Sequence, residues 1–352
     1  MNLAPCRTSR PSVTVILPVR NEEKRIRTTL SAILNQDYPA DLVEILCVDG
    51  CSSDKTRDVV QQVMAAYPGR RILLLNNPQM IVSAALNSAL QRTTGNTIIR
   101  VDGHTVVAPD YIRRCVAELQ RTGADNVGGR MCAIGDTPFG EAVAAATSSP
   151  FGVGGARFHY SASEELVDTV YLGAWRREAF QQIGGFDEEL VRNQDDEFNY
   201  RLRAHGGSIL LSPSIQSVYT ARSTPSALWR QYFQYGLWKV RVLQKHPQQM
   251  QVRQFVPPAF TMALLGFGSL SLASPYARLA LALVLTLYAA ASLIASVLTA
   301  SRSSWRLLPT LSVVFGILHL SYGLGFLAGL VKFAGRWRDR QGRVPNLFDA
   351  NE

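Results

Sequence analysis

Apolar positions in the first hundred residues fall in short runs, separated by helix-length segments with polar faces. "VTVILP" from Val13 predicts a buried strand, and "VEILCVD", "RILLLN" and "NTIIRVD" predict three more, ending at Asp49, Asn76 and Asp102. Between them the spacing predicts helices from Glu22 to Leu34, from Asp54 to about Ala66, and from about Gln79 to Gln91. Strands alternating with helices of this length imply an α/β fold, a mostly parallel sheet with helices on both faces. Such sheets bind ligands at the carboxyl ends of their strands. That rule puts Pro18 to Glu23, Asp49 to Ser53 and Asp102 to His104 on one rim.

Past residue 254 the pattern changes. Segments 255–273, 279–298 and 307–331 are apolar all round, contain no Asp or Glu, and have Arg278, Arg302 and Arg306 in the breaks. Each is near the roughly 20 residues that a bilayer crossing needs, so 255–333 is expected to be a transmembrane region. Three crossings would send the basic tail, 334–352, away from the amino-terminal domain, against the positive-inside rule. Two alternatives remain: the Pro257-Pro258 segment is re-entrant or interfacial, or the third stretch folds back near Tyr322-Gly323. Gly325 and Gly329 make a G-x-x-x-G pattern suited to close helix packing. His319, inside the third stretch, is a functional candidate or a bonded bystander.

Charge sharpens this picture. The net charge is +9, and residues 221–254 carry Arg222, Arg230, Lys239, Arg241, Lys245 and Arg253 with no acidic residue. A basic and aromatic segment beside an apolar block reads as membrane-interfacial rather than as a nucleic-acid patch. The cysteines (Cys6, Cys47, Cys51, Cys115, Cys132) have no C-x-x-C spacing and are expected to be reduced packing residues. "MNLAPCRTSRPSVTV" lacks the apolar core of a signal peptide, so the amino-terminal domain is expected in the cytoplasm. No G-x-G-x-x-G follows the first strand, which argues against a nicotinamide enzyme.

Three groups carry candidate chemistry. Asp49 at a strand end can accept a hydrogen bond from a base or a ribose, or simply form the turn, while Asp54 caps the next helix. Asp102 and His104, two apart on a strand, should face one side and can hold Mn²⁺ or Mg²⁺ with diphosphate oxygens, or make only a polar turn. "NQDDEFNYRLRAHGG" predicts a helix with Asn193 as N-cap and Asp195 on the face of Phe198 and Leu202. Its acidic first turn complements the helix dipole, and a partly desolvated Asp195 would suit a general base.

Together these residues resemble the family-2 glycosyltransferases of the GT-A fold. They are most similar to membrane-bound, succinoglycan-type glucosyltransferases of exopolysaccharide assembly. The likeness runs from Ser12 to Pro247 through "VTVILPVRNEE", "VEILCVDGCSSDKT", "RVDGHTV", "GAWRREAFQQIGGFDEEL" and "NQDDE". It implies a cytoplasmic GT-A domain over 1–220 and an inverting transfer from a nucleotide-sugar, such as a UDP-sugar, to a lipid-linked saccharide at the inner membrane. Pro18, Arg20, Glu22, Asp49 and Asp102 would bind the donor, Asp102 and His104 the divalent metal, and Asp195 would be the base. Arg230, Gln231 and Trp238 are candidates for acceptor or diphosphate contacts, and other polysaccharide-assembly proteins are candidate partners. Gly50, His104 and Gln194 depart from the carboxylates usual at their positions, and no strict Q-x-x-R-W follows Gln231, which favours single-sugar addition. Two rival readings stay open: a polyprenyl-phosphate sugar synthase of the same fold, and a non-catalytic membrane scaffold.

Overall fold

A computed structural model describes residues 10–347. The predicted strands form where the apolar runs lie: β1 (Val13–Val19), β2 (Val43–Asp49) and β3 (Arg71–Asn76). Helices α1 (Ile26–Leu34), α2 (Thr56–Ala66) and α3 (Val82–Leu90) connect them, and α1 presents Ile26, Leu30 and Ile33 to the sheet. Every residue of β1 and β2 is buried, as continuous apolar runs require of a strand covered on both faces.

The fourth strand is shorter than predicted. β4 (Thr97–Arg100) stops two residues early, and Asp102–His104 form a turn into β5 (Thr105–Val107), closed by Thr105 N–H donating to Asp102 O at 2.9 Å. Strand alternation therefore does not relate Asp102 to His104; a tight turn does. Next come α4 (Tyr111–Thr122), β6 (Asn126–Ile134), α5 (Pro138–Thr147), α6 (Pro150–Val153), β7 (Glu165–Leu166), β8 (Tyr171–Arg176) and α7 (Arg177–Ile183). Helix α8 (Gln194–Ala204) and β9 (Ile209–Thr220) complete the sheet-bearing half.

Among the described residues the nine strands form one sheet, in the order β3-β2-β1-β4-β8-β6-β9-β5, with β7 paired to β9. The β3-β2-β1-β4 half is parallel, whereas β8 runs antiparallel to both β4 and β6. The sheet is thus mixed, and the parallel expectation holds for its first half. One core covers the α1/α2/α4 face; another, on the opposite face, is built on Trp175, Phe180, Phe186 and Phe198.

Carboxyl-terminal to the sheet, α9 (Pro225–Lys245) leads to α10 (Val256–Leu270), α11 (Pro275–Arg302) and α12 (Leu308–Lys332). Here three expectations change. At 15 residues, α10 is only about 22 Å long, short of a roughly 30 Å hydrocarbon core, and among the described residues α11 and α12 alone are long and apolar enough to cross. Arg278 and Arg302 lie inside α11 rather than in breaks, and α12 runs straight through Tyr322-Gly323 without folding back. The G-x-x-x-G expectation holds: a Cβ on Gly325 would stand 2.0 Å from Phe233 O, and one on Gly329 2.6 Å from Leu237 O.

The basic segment is also not a free belt. Lys239, Arg241 and Lys245 are buried against Asp196, Glu189 and Asp187. Cys47 and Cys115 are buried packing residues as expected, but Cys51 is exposed, and Cys6 lies outside the described residues.

Candidate active site

The loops after β1 and β2 are stitched into one rim. Asn21 takes a left-handed conformation (φ 56°), which an Asn tolerates; its N–H donates to Ser52 Oγ and its side-chain oxygen accepts from Ser53 N–H, both at 2.9 Å. Glu22 N–H donates to Thr56 Oγ1 at 2.7 Å, and Asp54, one residue before the N-cap Lys55 rather than at it, accepts from Thr56 N–H. Asp49 is buried, accepts from Ser52 N–H at 3.2 Å and is paired to Arg57 at 3.0 Å. Arg20 crosses over Gly50 and reaches Met80 O, and Pro18 is buried in β1.

The turn after β4 joins this rim to a second region. Glu22 Oε1 meets His104 Nδ1 at 2.8 Å, leaving Nε2 as the free nitrogen. Arg100, at the end of β4, donates to Asp102 Oδ1 at 2.8 Å and lies 3.8 Å from Asp195 Oδ2. Burial pushes the Asp102 carboxyl up, but Arg100 and His104 outweigh it and hold its pKa below the usual value. Burial likewise works against the Arg100 charge, and Asp102 and Asp195 together keep its pKa raised.

Asp195 opens α8, with its side chain 45% exposed. The buried carboxylate of that helix is instead Glu197, held by Arg201 and His246. Asn193 sits at the N-cap position, but with φ 62° its side chain turns away and donates to Tyr235 O at 3.0 Å, so it does not cap.

Asp102, His104 and Asp195 border one cavity of about 1390 Å³, which Arg230 and Gln231 also line. Pro18, Arg20, Glu22 and Asp49 stay on the adjoining rim. Trp238 is turned away, donating to Gln234 and packing on Phe333. Sequence reasoning passed over Arg100, which a strand pattern counts as one more position, and His159, whose Nδ1 is buried without a partner. Burial lowers the His159 pKa to about 4. His319 is a satisfied link between helices, bonded to Phe151 O at 2.8 Å and to Tyr288 at 3.0 Å.

No three His, Cys, Asp or Glu side chains converge among the described residues. A sparse site still fits: Asp102 supplies an oxygen, and Glu22 on Nδ1 leaves His104 Nε2 as a donor, in the way carboxylates orient metal-binding imidazoles. Magnesium and manganese accept few protein ligands when phosphate oxygens complete the shell.

A mixed sheet whose carboxyl-end rim adjoins a cavity marks an α/β ligand-binding fold, and the comparisons give it a family. The glycosyl transferase family 2 model matches residues 14–184. Succinoglycan biosynthesis protein ExoA of Rhizobium meliloti (strain 1021) is 30% identical over 92% of this chain and 96% of its own length. The chain therefore belongs to glycosyl transferase family 2. A Methanococcus voltae relative is 26% identical over 91% of this chain and 97% of its own. Its name is dolichyl N-acetyl-alpha-D-glucosaminyl phosphate 3-beta-D-2,3-diacetamido-2,3-dideoxy-beta-D-glucuronosyltransferase. Among solved structures, mannosyltransferase PcManGT from Pyrobaculum calidifontis, in complex with GDP-Man and Mn²⁺, has a TM-score of 0.60 at 23% identity. That likeness covers 91% of this chain and 88% of the other.

Proposed function

We propose that this glycosyltransferase moves a hexose from a nucleotide-sugar, a UDP-sugar such as UDP-glucose, onto a lipid-linked saccharide for polysaccharide assembly. It would work from the cytoplasmic face of the inner membrane, anchored by α10–α12. The supporting observation is the two-sided character of the cavity. One side is lined by polar and charged side chains, among them Arg100, Asp102, His104, Asp195 and Arg230. The other side is walled by Val256, Phe260, Val284, Leu287 and Leu318 of α10–α12. Polar side chains lining a cavity offer hydrogen bonds to sugar hydroxyls and a diphosphate, and the apolar wall suits a lipid tail.

In this reading Asp195 Oδ2 takes the proton of the acceptor hydroxyl while that oxygen attacks the anomeric carbon from the face opposite the diphosphate. The C–O bond to the diphosphate breaks, its electron pair leaves with the nucleoside diphosphate, and the anomeric configuration inverts. Arg100 holds Asp102 ionised and in place, and Glu22 fixes the His104 ring. A divalent cation on Asp102 and His104 would neutralise charge on the leaving diphosphate.

The test incubates membranes carrying the full chain with a panel of labelled nucleotide-sugars, with and without EDTA, and follows label into a lipid extract. Wild type should label lipid with one donor in a metal-dependent way, and Asp195→Asn should lose about 100-fold or more. Full transfer by Asp195→Asn would overturn the base and point to a polyprenyl-phosphate nucleophile. UDP binding with no incorporation from any donor would leave the scaffold reading.

A further inference from the structure

Length and hydropathy alone suggest that α11 and α12 cross the bilayer as a hairpin. Their turn, at Ser303-Ser304, would then lie about 30 Å from the catalytic domain, on the far side of the membrane. The packing puts it elsewhere. Arg306, just past the turn, pairs with Glu141 in α5 of the catalytic domain. Leu307 and Leu311, at the start of α12, are buried among Ala142, Val143 and Leu228. At the opposite end of α12, Gln244 donates to Phe333 O at 2.8 Å, and the following tail brings Asp339 onto Arg241.

Between these ends α12 follows α9, with Gly325 and Gly329 against the carbonyls of Phe233 and Leu237. Helix α9 is itself fixed to the catalytic domain by Lys239 on Asp196 and Lys245 on Asp187. A helix held to one domain at both ends and along its length does not cross a bilayer from which that domain is excluded.

We infer that α12 is a monotopic helix: it lies along the catalytic domain in the near leaflet, and the α11–α12 turn stays on the catalytic side. The charge pattern fits that occupant. Arg302 and Arg306 flank the turn, and Lys332 and Arg336 flank the other end of α12. Arg302 and Lys332, exposed at the two ends, would reach the phosphates of one headgroup layer. A crossing hairpin would carry Arg302 and Arg306 to the far side, against the positive-inside rule. Leu283, Leu293, Ile294 and Leu298 of α11 are exposed and meet acyl chains instead. The inference holds whichever sugar and acceptor the enzyme uses.

The experiment puts Ser303→Cys in the full chain, in right-side-out and inside-out membrane vesicles, with a membrane-impermeant maleimide read peptide by peptide. Native Cys51, exposed in the catalytic domain, reports in the same sample which side is outward. Residue 303 should react in the vesicles where Cys51 reacts and lose its labelling in the others. Should Ser303→Cys fail to accumulate, Ser301→Cys, exposed in the last turn of α11, serves the same purpose. Reaction from the side opposite to Cys51 overturns the inference. So does a residue 303 that reacts only after detergent is added, because the turn would then be within the hydrocarbon.

Discussion

At the scale of single residues, the candidate site is organised by groups that hold other groups. Glu22 is one of them. Glu22→Gln removes the charge that orients His104, and losing such an outer partner costs about 10–100-fold in metal affinity. A Mn²⁺ titration of sugar transfer in EDTA-stripped membranes should therefore shift to higher metal by that factor, with the donor's KM at saturating metal little changed. His159 offers a prediction in pH. Its folded pKa is lowered to about 4 against 6.5 in the unfolded chain, so between those values the unfolded state takes up a proton that the folded state does not. Stability is full above 6.5 and falls as pH drops through the window, by up to ~3 kcal/mol. Denaturant titrations of the detergent-solubilised protein should reveal this slope in wild type and a shallower one in His159→Phe. Asp102, His104 and Asp195 were legible in the sequence because carboxylates and imidazoles at strand and helix ends stand out. Arg100 was not, since its role depends on Asp195, which is remote in sequence and reaches it only through the fold.

At the scale of elements, apolar periodicity located β2 and β3 to the residue and β1 to within one, because continuous apolar runs in a covered sheet leave little other placement. It overran β4 because Val101 continues the apolar run and still donates to Ile16 O at 3.0 Å, whereas Asp102 already begins the turn. It also divided α11 at Arg278, although one cation in the first turn of a long apolar helix does not end it. Sequence spacing marked Gly325 as a close-packing position, and the contact partner is α9 rather than another apolar helix. Gly325→Ala would drive a Cβ to 2.0 Å from Phe233 O and force α9 and α12 apart. Gly266 in α10 has nothing within 4 Å of the equivalent position. Gly325→Ala should then destabilise by about 1–3 kcal/mol or more, whereas Gly266→Ala should be neutral or gain up to about 1 kcal/mol from helix propensity. Thermal unfolding of the two variants in one detergent makes the comparison.

At the scale of the whole molecule, positive charge counted along 221–254 misleads about surface, because its partners come from other parts of the chain. Lys245 is fully buried between Asp187 and Glu189, and Arg241 is fully buried on Glu189 and Asp339. The tail completes this cluster: Arg343 N–H donates to Asp187 Oδ1 at 2.8 Å, and Gly185 N–H donates to Pro345 O at 3.0 Å. The basic tail that follows the apolar helices is thus a clasp that joins the α7–α8 connection to α9. Lys245→Met leaves a wholly buried Asp187 without its cation, which costs about 3–5 kcal/mol. Adding Asp187→Asn to Lys245→Met removes the stranded charge and should recover part of that loss. Salt distinguishes this cluster from the exposed pair of Arg306 with Glu141, because ions screen surface charges and do not enter a buried site. Raising ionic strength should leave the Lys245→Met deficit almost unchanged in denaturant titrations, while any deficit of Arg306→Ala shrinks towards zero.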